Sequence, residues 1–280
     1  IRDSSVTGVQ TCALPICTIA ANCGMHSYDE LIRKCREAIG FFGYLSCWAR
    51  PDIRQATYYL ARFQARPTTP VWKACKRVMR YLRGNSIPLT FGTRAIAHES
   101  PLVGFVDSDY DVYSTSGLAF FVYGCPVLLD SSKQRTVAHS TTEAELIAAD
   151  RAARANNYLR RLLIFDFGIK NLPITPIYED NQGCVHISRG GGSFRKLRHI
   201  RVAESYVYHC SIIDPSLSLQ YIRSRDNVAD IFTKACDPDT FHTLRSYLMG
   251  NTSYCLTYHP LDSSRTHAGE CWIPSSSSEI

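Results

Sequence analysis

Four carboxylates stand in four separated segments, each at the edge of a readable element. Asp107 ends the apolar run Leu102-Val103-Gly104-Phe105-Val106, and Glu145 lies in the first turn of a helix that opens Ser140-Thr141-Thr142-Glu143-Ala144-Glu145-Leu146. Asp180 follows Ile177-Tyr178-Glu179, and Asp230 closes Arg225-Asp226-Asn227-Val228-Ala229-Asp230. An acid at the end of a buried strand does nothing for packing. Several such acids converging on one point repel one another unless a divalent cation joins them. Hydrolysis of a phosphodiester by two metal ions roughly 3.5–4 Å apart uses an acid cluster of this kind.

The elements that must position these acids follow from periodicity and punctuation. Helical spacing runs from Tyr28 to Trp48, with Leu31, Ile32, Ala38, Ile39, Phe42 and Leu45 apolar. Pro51 suits the first turn of a second helix, about Asp52 to Gln64, with Ile53, Ala56, Tyr59, Leu60 and Phe63 on one face. A third, Val71 to Leu82, turns Trp72, Cys75, Val78, Met79 and Leu82 inward and Lys73, Lys76, Arg77 and Arg80 outward, and Gly84 ends it. That basic face serves either as a phosphate contact or as a plain solvated surface.

A connector over 85–100 holds a short strand around Leu89-Thr90-Phe91. Strands are expected at Leu102–Ser108, at Gly117–Tyr123 and from Val127–Asp130 on through Thr136-Val137-Ala138, with a turn at Gly124-Cys125-Pro126. Ser140 reads as a helix N-cap with an acid three residues on. Its helix runs to about Phe165 with Leu146, Ala149, Ala153, Leu159, Leu162 and Leu163 as the apolar stripe. A fourth strand spans Pro173 to Tyr178, a short helix lies near Asn181 to Ser188, and another helix covers His199 to Cys210. A fifth strand at Ser218–Arg223 and short helices near Val228–Lys234 and Asp239–Leu248 complete the order. The order gives an α/β fold: a mixed sheet with helices on both faces.

The bulk composition bounds the class. The 280 residues are 45% hydrophobic and 20% charged, which is globular, and the formal charge of +6 permits nucleic-acid binding without requiring it. Twelve cysteines occur with no Cys-x-x-Cys pair, which favours reduced intracellular thiols over a zinc site or a disulfide scaffold. No apolar run approaches the roughly 18 residues of a membrane span. Gly190-Gly191-Gly192 is a flexible stop rather than a phosphate loop, since no strand leads into it.

Val6-Thr7-Gly8-Val9-Gln10-Thr11-Cys12-Ala13-Leu14-Pro15-Ile16 reads as a translated sequencing adapter, so residues 1–16 are set aside and the chain is expected to begin inside a larger protein. The stretch after Gly250, residues 251–280, reads as unstructured or unrelated.

Several motifs together resemble one family. Lys133-Gln134-Arg135-Thr136-Val137-Ala138-His139-Ser140-Thr141-Thr142-Glu143-Ala144-Glu145-Leu146, Ser114-Thr115-Ser116-Gly117, Ile177-Tyr178-Glu179-Asp180-Asn181-Gln182 and Asp230-Ile231-Phe232-Thr233-Lys234 resemble the ribonuclease H domain of Ty1/copia-type retrotransposon Pol polyproteins. Arg50-Pro51-Asp52-Ile53 and the stretch from Trp72 to Gly84 resemble the end of that family's reverse transcriptase. The resemblance covers roughly residues 28–250, in the family's order. It divides the chain into a helical thumb or connection segment at 17–97 and a ribonuclease H-like domain at 98–250, with a mixed five-stranded sheet.

The resemblance implies hydrolysis of the RNA strand of an RNA–DNA hybrid, leaving a 5′ phosphate, with two Mg²⁺ ions or Mn²⁺ in their place. Carried over residue by residue, the catalytic metal ligands are Asp107, Glu145, Asp180 and Asp230. Glu143 falls to a capping role of about 0.3–1 kcal/mol, and Asp109 matches a strand-end acid that is usually not a ligand. His199 matches a family histidine, either a proton shuttle or a phosphate contact. Lys73, Lys76, Arg77, Arg80, Lys133 and Arg135 are the nucleic-acid-binding candidates. The implied partners are the hybrid and the palm and fingers of the same polyprotein, with no membrane. The implied location is the cytoplasm, inside the element's particle, with the nucleus as a second place.

The chain departs from the family in two stretches. The connection between Asp107 and Ser114 is shorter than usual, and Arg201, Ala203 and Ser205 stand where Asp, Arg and His are usual. A non-cutting, hybrid-binding remnant of a degraded element is therefore the alternative. A strand transferase of the same fold fits less well. Asp109 and Glu145 do flank 35 residues (110–144), but that reading leaves Asp180 and Asp230 without a task.

Overall fold

Among the described residues three helices come first, because Pro51 and Pro67 interrupt an otherwise continuous helical pattern. They are α1 (Tyr28–Trp48), α2 (Arg54–Ala61, entered through a 3-10 turn at Pro51–Ile53) and α3 (Thr69–Gly84). Strands β1 (Leu102–Asp109), β2 (Thr115–Val122) and β3 (Cys125–Lys133) follow, then α4 (Thr141–Arg161), β4 (Thr175–Glu179), α5 (Gln182–Ser188), β5 (Leu217–Tyr221), α6 (Asp230–Thr233) and α7 (Pro238–Leu248). The structure is a computed structural model describing residues 28–91, 100–190 and 206–250. His199, Arg201, Ala203, Ser205 and the start of the helix expected at His199 lie outside the described residues, whereas 206–213 is helical.

The sheet runs in the order β3-β2-β1-β4-β5. β1 pairs antiparallel with β2 and parallel with β4, and β4 pairs parallel with β5. A parallel neighbour needs a long crossover, and α4 supplies it. Helices lie on both faces, and this is the ribonuclease H-like sheet that the resemblance implies.

The β2–β3 hairpin closes on Tyr123 and Gly124, both at positive φ (47° and 79°), between the paired residues Val122 and Cys125. That is the two-residue turn whose twist matches the strands. Pro126 therefore lies inside β3, where only an edge strand tolerates a missing N–H.

Strand alternation gives each face its own core. Val103, Phe105, Ala119, Phe121 and Tyr178 pack with α1, α2, α3, α6 and α7. Leu102, Val106, Leu118, Phe120 and Ile177 pack with α4 and α5. The first core holds a buried polar knot. Arg50 Nε and a terminal guanidinium nitrogen donate to the two Asp52 oxygens (2.9 and 2.7 Å). The Tyr81 hydroxyl donates to Asp52 (2.6 Å), and Arg245 of α7 donates to the Tyr81 oxygen (2.9 Å).

Three local expectations are corrected. Residues 89–91 form no strand; Thr90 N donates to the Met249 carbonyl (2.9 Å) without a partner strand. Thr136-Val137-Ala138 does not continue β3, because Gln134 turns inward to donate to Ser116 Oγ (3.0 Å) and the Ala144 carbonyl (2.8 Å) and leads the chain into α4. Met79 is exposed, because the inward stripe of α3 is Val71, Ala74, Cys75, Val78 and Tyr81, one position away from it.

The N-cap of α4 forms as expected. Ser140 Oγ accepts from Glu143 N (3.1 Å), and Glu143 Oε2 accepts from His139 N (2.7 Å). Replacing Ser140 by Ala is expected to cost about 1 kcal/mol, the usual loss of a cap. Urea denaturation should show this as a lower midpoint with an unchanged slope.

Candidate metal centre

Four elements deliver acids to one end of the sheet. Asp107 is the sixth residue of β1, is 1% exposed, and pairs across the antiparallel ladder with Gly117. A Cβ on Gly117 would stand 2.7 Å from Thr233 Cγ2 and 2.8 Å from the Ala229 carbonyl, so glycine lets α6 rest directly on β2. This close approach brings Thr233 and Asp230 to Asp107. The Thr233 hydroxyl donates to Asp107 Oδ2. Asn227, wholly buried, pins the entry to α6 by donating to the Val106 carbonyl (2.8 Å) and accepting from Ala229 N (3.1 Å).

Ligand-capable oxygens of Asp107, Asp180 and Asp230 lie within 4.8 Å of one another, and so do those of Glu145, Glu179 and Asp180. Asp180 belongs to both groups. It sits just past the end of β4 and is partly exposed, while Glu145 on α4 and Asp230 on α6 are buried. The Lys234 ammonium donates to Asp230 Oδ2 (2.9 Å) and lies 3.9 Å from Asp107 Oδ2. Ser224 Oγ also donates to Asp230 Oδ2 (3.2 Å).

Burial and mutual repulsion raise the buried acids of this cluster. Burial, then the Asp230 charge, pushes the Asp107 carboxyl up to about 8. Burial, then the Asp107 and Asp180 charges, pushes Glu145 up to about 9. Burial also raises Glu179 and Asp230. Burial alone would lower the Lys234 ammonium, but Asp107 and Asp230 hold it above its ordinary value. Glu145 Oε2, Glu179 Oε2 and Asp230 Oδ1 are buried with no hydrogen-bond partner. Buried carboxylate oxygens without a donor are costly, and an oxygen-only donor set suits a hard divalent cation. The residues present fit such an ion.

The Pol polyprotein of the tobacco (Nicotiana tabacum) transposon TNT 1-94 is 31% identical over 210 residues, 73% of this chain. The chain is homologous to copia-type retrotransposon Pol polyproteins over most of its length. It spans 15% of the length of that tobacco protein. A 123-residue stretch is 40% identical to secreted RxLR effector protein 161 of Plasmopara viticola, covering 42% of this chain and 84% of that one. Among solved structures, LC11-RNase H1 in complex with an RNA/DNA hybrid shares 14% identity at a TM-score of 0.38, over 47% of this chain and 93% of its own. No family model matches the chain.

In this chain all four acids singled out by sequence come to the acid cluster, while Asp109 belongs to neither group and accepts from Thr115 N. Lys133 pairs with Thr115 at the same end of the sheet, its ammonium 3.7 Å from the Tyr113 ring centroid, and Arg135 is exposed just beyond. Lys73, Lys76 and Arg80 are exposed on α3 and Arg77 is partly buried there. His199 lies outside the described residues.

Sequence reasoning missed Glu179, Lys234, Asn227 and Gln134. Lys234 was signalled by its spacing four residues after Asp230 on one helical turn. Glu179 was signalled by strand alternation, which sets it on the face of Ile177. No helix among the described residues is long and apolar enough to cross a membrane.

Proposed function

We propose that this chain hydrolyses the RNA strand of RNA–DNA hybrids by two-metal catalysis during reverse transcription of its element. The observation that carries the reading is Asp180, one carboxylate shared by two adjacent ion-sized acid groups. Asp107, Asp180 and Asp230 would hold one Mg²⁺, and Glu145 with Asp180 the other. When bound, the ions supply an activated water and neutralise charge on the scissile phosphate and leaving oxygen.

The chain's own residues do the rest. Thr233 and Asn227 hold Asp107 and the α6 entry in place. Lys234 offsets part of the acid charge in the metal-free chain. Lys133 and Arg135 contact hybrid phosphates beside the site, and Lys73, Lys76, Arg77 and Arg80 form a second phosphate-facing patch. Contacts to 2′-hydroxyls across the wide minor groove select RNA. The chain works beside the palm and fingers of the same polyprotein, in the cytoplasmic particle of the element or in the nucleus.

The β1–β2 connection is short, but the ladder from Leu102↔Val122 to Asp109↔Thr115 is unbroken, so Asp107 keeps its register. A labelled RNA–DNA hybrid incubated with the chain is expected to be nicked in the RNA strand with Mg²⁺ or Mn²⁺ and left intact in EDTA. Binding of the hybrid without cleavage at any concentration of either ion would instead establish the non-cutting remnant.

A further inference from the structure

Glu179 is the last residue of β4 and has no solvent exposure. Its neighbour Tyr178 packs into the core with α1, α3 and α7, so alternation turns Glu179 to the opposite face, toward α4. One of its oxygens, Oε1, accepts from Asn181 N (3.0 Å). The other, Oε2, is buried with no donor, and so is Oε2 of Glu145. The two acids and Asp180 present oxygens within 4.8 Å of one another.

A wholly buried carboxylate with a bare oxygen beside two more acids is a large liability unless something positive joins them. Lys234 does not do so; its bonds go to Asp230 and Ser224 on the α6 side. A glutamate serving only to shape this corner would be replaced at lower cost by a neutral side chain of similar size. The three donors are all oxygen, which suits a small hard cation.

We propose that Glu179 is a fifth metal-binding carboxylate, completing with Glu145 and Asp180 the site of the second ion. The inference rests on the two-ion reading above and extends its ligand set. Asn181 N fixes the Glu179 carboxylate through Oε1 and leaves Oε2 without a donor, so the group is positioned beside Glu145 and Asp180 before an ion arrives. The first ion, among Asp107, Asp180 and Asp230, owes nothing to Glu179.

The test is titration calorimetry of the full chain with Mn²⁺, with bound ions counted by electron paramagnetic resonance. Wild type is expected to take two ions. Glu179→Gln keeps the size of the side chain and the Asn181 contact. It should leave the tighter first ion unchanged and weaken the second at least tenfold, with no loss of thermal stability in EDTA. Asp230→Asn should weaken the first ion instead.

Two ions bound with equal affinities by wild type and Glu179→Gln would overturn the role of Glu179 and leave the two-ion reading standing. Fewer than two ions on the wild type would overturn both. Should the glutamine variant not fold, Glu179→Asp retracts the charge by one methylene and is expected to weaken the second ion alone; an unchanged second ion there also overturns the proposal.

Discussion

Asp180→Asn is expected to lower hybrid cleavage by about a thousandfold or more, a loss on the order of 4 kcal/mol of transition-state stabilisation. The size follows from geometry. Removing a ligand that serves one ion weakens one site, but Asp180 contributes to both acid groups, so the amide removes a ligand charge from two sites at once. Asparagine preserves shape and has little effect on folding. Single-turnover cleavage at saturating hybrid reads the chemical step, and melting with and without Mg²⁺ reads the ions. Wild-type melting should rise with Mg²⁺ by mass action, and the variant should lose most of that rise. Asp109→Asn is the matched control: Asp109 lies outside both groups, and its variant should cut within about tenfold of wild type, smaller than the loss of a single oxyanion-stabilising donor in an enzyme. Equal activity of Asp180→Asn and wild type would remove the metal centre from the reaction.

Raising the pH should destabilise the metal-free chain across the range where most proteins are at their best. Asp107 and Glu145 titrate near 8 and 9 in the folded chain, far above ordinary carboxylates. Above about pH 5 the unfolded chain has released these protons, while the folded chain holds that of Asp107 up to about 8 and that of Glu145 up to about 9. The folded state therefore binds more protons, and stability falls as pH rises; Glu179 and Asp230, also raised by burial, add to the same slope. Lys234, held above its ordinary value, is charged in both states over this range and adds no slope. Each pK unit expressed in this way is worth about 1.4 kcal/mol, or about 3–5 °C in a chain of this size. In EDTA the melting temperature should fall between pH 6 and 9. With Mg²⁺ present the fall should vanish, because the ion binds the ionised acids and its stabilisation grows as they deprotonate. A flat or rising profile in EDTA would show that the acids are farther apart or better solvated than the structure has them.

Much of this molecule could be read from the chain, for identifiable reasons. The bounds of α1 follow from helical spacing ended before Pro51, and the start of α4 from a serine followed three residues later by glutamate. Asp107, Asp180 and Asp230 were visible because each sits at the end of an apolar or capped stretch, where packing has no use for an acid. Glu179 was harder, since an acid inside a short strand normally reads as its solvent side. Only pairing with β5 and cover by α5 make both faces of β4 inner ones. Met79 misled because α3 has two adjacent apolar stripes, and the deciding contact, the Tyr81 hydroxyl on Asp52, joins residues 29 apart. Gly117 looked like an ordinary strand residue until α6 was seen lying against it.

The core beneath α1, α2 and α3 is finished by α6 and α7, and its polar knot joins Tyr81 to Arg245 across 164 positions. A ribosome making this chain releases α1, α2 and α3 long before the residues that cover them exist. Their apolar faces, Phe42, Leu60 and Val78 among them, stay open until the segment around Leu244 has emerged. Contacts of such long range form slowly, and surfaces left bare in the interval attract other chains. These three helices are thus made before the segments that seal them, and the acid-bearing turn at Asp230 arrives with the piece that does so.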